Sequence, residues 1–181
     1  MIVVARTTRL ELREFSETDA SGFFSLNEDP EVLRFTGDVP FQDFDEAREF
    51  IARYNPYSTT GYGRWSVYLR DGGRYIGWCG LSFKPSTGET DIGFRFHRDT
   101  WGKGYATEAA RASLDLGFNR FGLSKIVGRA MQDNAASHAI LRKLGMTPAF
   151  EFTEGGQSWV QYELTVDDYH QLSSDSTWSM A

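Results

Sequence analysis

The chain has one cysteine, Cys79, among 181 residues, so it forms no internal disulfide and builds no cysteine-based metal cluster. No metal site is expected. It has no apolar run approaching the ~20 residues that a membrane-crossing helix requires. Its start, Met1-Ile2-Val3-Val4-Ala5-Arg6, has neither the basic beginning nor the long apolar stretch of a signal peptide. The expectation is a cytoplasmic protein with no membrane partner. Positive charge is also in short supply: 19 Lys and Arg against 25 Asp and Glu give a net charge of −6. Such a surface repels nucleic-acid phosphates, and no basic stripe interleaved with aromatics is present, so no nucleic-acid partner is expected. Acidity favours a cationic, amine-bearing partner instead, through long-range steering.

What is there is ordinary in bulk and specific in one place. The composition is 40% hydrophobic and 24% charged, usual for a globular protein, and the length suits one domain, residues 1–181, with a substantial core. The specific place is Trp101-Gly102-Lys103-Gly104-Tyr105-Ala106-Thr107-Glu108-Ala109. It follows an extended segment, 90–97, in which Ile92, Phe94 and Phe96 alternate with Asp91, Gly93, Arg95 and His97. It opens a helix to about Phe118. Two glycines let the backbone pass close to a ligand. The helix start adds unpaired amides and the positive end of its dipole. Together they form an anion site suited to phosphate or pyrophosphate. The candidate donors are the amides of Gly102, Lys103, Gly104, Tyr105 and Ala106, continuing into Thr107, with the Lys103 charge nearby. Behind them Ala106, Ala109, Ala110, Ser113 and Gly117 give a small face that can lie close to a sheet.

The remaining chain reads as alternating elements. Ser16 to Asp19 carries a capping pattern before Phe23, Phe24 and Leu26. Pro30 opens a short turn, and 43–54 has helical spacing. Residues 65–69 and 75–81 are strands joined by Asp71-Gly72-Gly73, a hairpin signal. Residues 125–131 form another strand. Asn134 then opens a helix from Ala135 to Leu144, with Ala136, Ile140 and Leu144 on one stripe and Gly145 in the C-cap place. Residues 158–164 alternate as a last strand, and the tail from about Ser173 is polar, with Trp178 its one apolar anchor. The order is strand, helices, three strands, helix, strand, helix, two strands: a mixed α/β fold.

The glycine turn, together with Asn134-Ala135-Ala136-Ser137 and Lys143-Leu144-Gly145-Met146, resembles the acyl-CoA-binding core of the GNAT superfamily of N-acetyltransferases. The branch it is most similar to includes the ribosomal-protein alanine N-acetyltransferases, whose members commonly start with a strand like Thr8-Arg9-Leu10-Glu11-Leu12-Arg13. The resemblance spans about residues 6–165. It implies a central, mostly antiparallel sheet, splayed between its fourth and fifth strands and flanked by helices. It implies an enzyme, an acyltransferase that moves an acetyl group from acetyl-CoA, as co-substrate, to an amine acceptor. The acceptor is a small molecule or a peptide N-terminus. A catalytically weak CoA-binding sensor or scaffold of the same fold is the alternative. The sequence leaves a homodimer open.

The resemblance also distributes roles. Main-chain groups of Phe94, Arg95 and Phe96 would pair with the pantetheine arm as though with another strand. Asn134 would lie near the pantetheine or acceptor, and Ser137 near the thioester sulfur or the CoA chain; both are equally ordinary helix-start residues. The family's usual acid, a tyrosine seven residues after the asparagine, is here Leu141, which leaves Ser137, a water or no dedicated acid in that role. Asp91 stands where the branch places a glutamate and would act as the base, or else it is a surface strand aspartate. Acceptor selection would fall to about 24–41 and 54–65, with Phe35, Phe41, Tyr57, Tyr62 and Trp65 as an aromatic wall or, equally, as part of an ordinary core.

Overall fold

The computed structural model of the chain describes residues 2–174; Trp178 lies outside the described residues. One sheet is built from β1 (Val3–Arg6), β2 (Leu10–Arg13), β3 (Arg64–Leu69), β4 (Tyr75–Lys84), β5 (Glu89–Phe96), β6 (Lys125–Met131), β7 (Thr147–Glu154) and β8 (Gln157–Thr165). The strand order is β1-β2-β3-β4-β5-β6-β8-β7. Every neighbouring pair is antiparallel except β5 and β6, which run parallel. The sheet is therefore mixed and mostly antiparallel, as expected. The short β1 is an addition, so the fourth and fifth strands of the sequence reading are β5 and β6.

That parallel pair is the opening. Its register covers only Asp91 with Val127 and Ile92 with Gly128. Beyond them β5 continues to Phe96 along β4, and β6 continues to Met131 along β8. Different anchors hold the two strand ends apart. The Trp101 indole donates to the Phe96 carbonyl at 2.8 Å. The Met131 carbonyl instead faces His138 Nε2 at 3.1 Å.

Helices cover both faces. On one lie α5 (Tyr105–Asp115), continued by a π-helical turn Leu116–Arg120, and α6 (Ala135–Lys143). Ala109, Ala110 and Ser113 are fully buried there, so the small residues of α5 sit against β4 and β5 as anticipated. This face holds the main core with Leu12, Trp65, Ile76, Leu81, Ile92 and Ile126. The other face carries α1 (Ala20–Glu28), α2 (Pro30–Leu33), α3 (Phe44–Arg53) and α4 (Pro56–Thr59), around a smaller cluster of Ala20, Phe23 and Ile51. The Asp19 carboxylate, buried beneath α1, accepts from the Ser16 amide at 2.9 Å, the Ser66 hydroxyl at 2.7 Å and the Tyr68 hydroxyl. It thereby pins the start of α1 to β3.

Three expectations change. The buried stripe of α6 and its cap is His138, Leu141 and Leu144, while Ala136 is exposed. An unforeseen helix, α7 (Val166–Ser174), follows β8, because Val166, Tyr169 and Leu172 share one side and pack on the main core. Tyr62 and Trp65 belong to that core rather than to an acceptor wall; Trp65 is 1% exposed.

Candidate active site

The glycine turn has the geometry of an anion cradle. Gly102 and Gly104 have φ of +74° and +81°, conformations that favour residues without a Cβ. Nothing lies within 4 Å of a Cβ built on Gly102, so the turn is open to a ligand. The amides of Gly102, Lys103, Gly104, Tyr105, Ala106 and Thr107 donate to no described residue; the first helical bond runs from the Glu108 amide to the Gly104 carbonyl at 3.0 Å. A row of unpaired donors at a helix N-terminus suits an anion carrying several oxygens.

A lock absent from the sequence reading holds this turn in place. The Glu108 carboxylate is buried in the first turn of α5. It accepts from the Thr7 hydroxyl at 2.6 Å, the Arg9 amide at 2.9 Å and Arg9 Nε at 2.6 Å. Arg9 also donates to the Lys103 carbonyl at 2.9 Å and stacks 4.6 Å from the Tyr105 ring centroid. The link crosses 99 residues, and no spacing rule points to it.

Across the splay, Asn134 caps α6, its side chain accepting from the Ser137 amide at 3.1 Å. His138, the next residue, braces the same corner. Its Nε2 faces the carbonyl oxygens of Met131 and Gln132, which only accept, so Nε2 carries the ring proton. Nδ1 then accepts from the Tyr162 hydroxyl at 2.9 Å. Asn134 and Ser137 are thereby brought to the open end of β6, opposite Phe94, Arg95 and Phe96. Leu141 is 1% exposed and packs beside Gly128, so position 141 offers no proton.

Asp91 lies at the base of the splay, on the face turned toward α1 and α3. Arg64 donates to its Oδ2 at 2.7 Å and to its main-chain carbonyl at 3.1 Å. Asp91 Oδ1 is buried and without a partner. The guanidinium fills the space over Gly93: a Cβ there would stand 2.7 Å from Arg64 Cζ. Gly93 is thus the opening through which Arg64 reaches Asp91.

Over this face lies a cavity of about 420 Å³. Its lining includes Phe15, Phe23, Phe41, Phe50 and Tyr54 from the helical layer, and Arg64, Trp78, Ser82 and Arg95 from the sheet. Of the expected aromatic wall, Phe41 lines it; Tyr57 instead bonds the Phe15 amide at 3.0 Å and the Arg64 carbonyl. A second cavity of about 410 Å³ shares Phe41, Phe50 and Tyr54 and opens along α3.

Two residues turn out unsuited to chemistry. Cys79 is fully buried, and burial pushes its thiol up to about 11; a thiol held neutral and out of reach is no nucleophile. His97 packs edge-on to Tyr75, 5.9 Å between centroids, on the α1 side rather than against the glycine turn. Among the described residues no group of three or more His, Cys, Asp or Glu is placed to hold a metal ion, and no helix is long and apolar enough to cross a membrane.

Residues 9–147 match the family described as Acetyltransferase (GNAT) domain. The chain belongs to the GNAT family of acetyltransferases. This acetyltransferase is 33% identical over 140 residues to the uncharacterized N-acetyltransferase p20 of Bacillus licheniformis, covering 76% of this chain and 79% of p20. It is 29% identical over 191 residues to the FsC-acetyl coenzyme A-N(2)-transacetylase of Aspergillus fumigatus, covering 94% of this chain and 79% of that one. Its fold matches the crystal structure of spermidine N-acetyltransferase from Vibrio cholerae in complex with CoA and spermine, with a TM-score of 0.77 at 19% identity over 91% of this chain and 99% of that one. The enzyme is an acyltransferase, built on a mixed sheet that opens between β5 and β6.

Proposed function

We propose that the enzyme transfers an acetyl group from acetyl-CoA to a primary amine, by direct attack in a ternary complex. The observation that carries this reading is the continuous run of unpaired amides from Gly102 to Thr107 beside the splay of β5 and β6. These amides would hold the pyrophosphate, and the main chain of Phe94, Arg95 and Phe96 would align the pantetheine arm. The thioester would then lie between Asp91 and the Asn134–Ser137 corner, with the amine entering from the aromatic cavity. The family and the A. fumigatus relative, whose name includes acetyl coenzyme A, support the donor. Residues 1–181 act as one acetyltransferase domain, with its core over about 6–165.

The chemistry needs two proton movements. The acceptor ammonium loses a proton, for which the Asp91 carboxylate is the acceptor, through a water. Nitrogen then forms its bond to the acetyl carbon while the carbon–sulfur bond breaks and the thiolate takes up a proton, aided by Ser137 or a water. With Cys79 buried and no other activated nucleophile among the described residues, no acetyl-enzyme step is required. A thiol-release assay across amines, amino acids, amides and short peptides tests the reading. Thiol release that depends on an amine is expected. Tight acetyl-CoA binding with no turnover would favour a CoA-binding sensor, and absence of both binding and turnover would overturn the proposal.

A further inference from the structure

The cavity above Asp91 has a floor that carries two guanidinium groups close to one tryptophan. Arg64 and Arg95 lie 5.5 and 5.3 Å from the Trp78 ring centroid. They differ in their commitments. Arg64 is used up by the sheet, bonding the carbonyls of Gly80 and Asp91 as well as the Asp91 carboxylate. Arg95 donates to Asn27 Oδ1 at 2.9 Å and to the carboxylate of Asp38. The Arg95 side chain is 10% exposed, whereas that of Asp38 is 56% exposed.

A cation buried to that degree requires an anion beside it. Asp38 is its one ionic partner among the described residues. Yet Asp38 belongs to no helix or strand. It follows Gly37 and precedes Val39, which is 82% exposed. The acid's own end lies in water, so exchanging it for another carboxylate keeps the buried cation paired, while Asn27 and Trp78 keep the guanidinium in place. Asp38 is also the only carboxylate in the lining of the cavity. A polyamine, positive at every nitrogen, meets two arginines here instead of an acidic floor.

Resting on the transferase reading above, we infer that the acceptor amine also carries a carboxylate, which Arg95 seats in the place where Asp38 now lies. A planar guanidinium takes a planar carboxylate through two parallel hydrogen bonds, giving orientation along with affinity. Asp38 then acts as a resident stand-in that keeps the buried cation paired until the acceptor arrives. The overall acidity of the chain steers the ammonium end, and the local basic floor selects what else the acceptor bears.

The test compares matched acceptors: a series of amino acids, their carboxamides, the corresponding decarboxylated amines, and spermidine. The wild-type enzyme should prefer the acids by at least tenfold in kcat/KM over their amides. Arg95→Gln should lower that acid-to-amide ratio at least tenfold, and Arg95→Lys, which keeps charge without the planar fork, should lower it less. Asp38→Asn should lower KM for the acids and leave KM for the amides in place. Should Arg95→Gln fail to fold by thermal melting, Asp38→Asn, on an exposed loop, tests the same seat. Equal use of acids and amides, preference for spermidine, or a ratio indifferent to both positions overturns the inference while leaving the transferase standing. Absence of acetyl-CoA binding in the wild type would instead remove the transferase reading itself.

Discussion

Glu108 makes the sharpest test of how the phosphate turn is held. In Glu108→Ala, the Thr7 hydroxyl, the Arg9 amide and Arg9 Nε lose their acceptor together. Hydrogen bonds to a charged group contribute about 1.5–3 kcal/mol each. Those three share one carboxylate and are not additive, and the Arg9 side chain is 41% exposed and can turn to water. The expected loss is therefore about 2–3 kcal/mol, below the ~3–5 kcal/mol for breaking a fully buried pair. For a chain of this size that lowers the melting temperature by roughly 4–12 °C. A functional signature should accompany it. Arg9 also holds the Lys103 carbonyl, at 2.9 Å, so releasing it loosens the turn that cradles pyrophosphate. Acetyl-CoA affinity should fall about tenfold, equivalent to ~1.4 kcal/mol, while acetyl-pantetheine, which lacks the pyrophosphate, should be used as well as before. Calorimetry and paired kinetics on the two donors measure this. Equal losses on both donors, or unchanged melting, would refute the lock.

The turn itself can be broken from within: Gly104→Val places a β-branched residue at φ +81° and 3.4 Å from Arg9 Nη2, and should abolish measurable acetyl-CoA binding by calorimetry while the circular dichroism spectrum stays native. Asp91→Asn should lower turnover by roughly 10²-fold and flatten the acidic limb of the rate profile, with acetyl-CoA affinity retained; full activity across pH would remove Asp91 as the base. Ser137→Ala should reduce turnover more than acetyl-CoA binding, and the reverse pattern would place Ser137 on the CoA chain instead. Burial holds His97 below its ordinary value of 6.5, Asp99 partly opposing it. Just below pH 6.5 the unfolded chain binds a proton that the folded one refuses, so stability is full above that pH and falls on acidification. Urea midpoints should show part of that slope vanish in His97→Gln.

The sequence made legible whatever depends on neighbours along the chain. The glycine turn, the Asn134 cap, the alternation of β5 and the small face of α5 all follow from local backbone and packing rules, and each is found in place. Contacts between distant segments follow no such rule. Glu108 sits in the middle of the most recognisable motif, yet its function as the keystone of the turn depends on Arg9, 99 residues away. Nothing along the chain links the side chains of Arg64 and Arg95, because only the folded sheet brings both guanidinium groups to Trp78. The aromatic wall failed for a related reason. Burial in the core and exposure to a cavity use the same residue types, so Tyr62 and Trp65 could not be told from Phe41 by composition. The helix α7 escaped notice because three apolar residues in nine are a faint stripe.

The two-residue register between β5 and β6 has a mechanical consequence. Strands β1 to β5 and strands β6 to β8 form two well-laddered plates joined by a seam of Asp91–Val127 and Ile92–Gly128, with α5 laid across β4 and β5 and against α6. Opening of that seam would leave both ladders intact, and it would work against the bonds of Arg129 and Gln161 to Glu89 and against the one core beneath both plates. Any molecule that bonds to both lips acts as a clasp. It binds only the closed arrangement, and at a hundred times its dissociation constant it stabilises that arrangement by ~2.7 kcal/mol. The main-chain groups along the free lips should exchange hydrogen rapidly until the clasp is fastened.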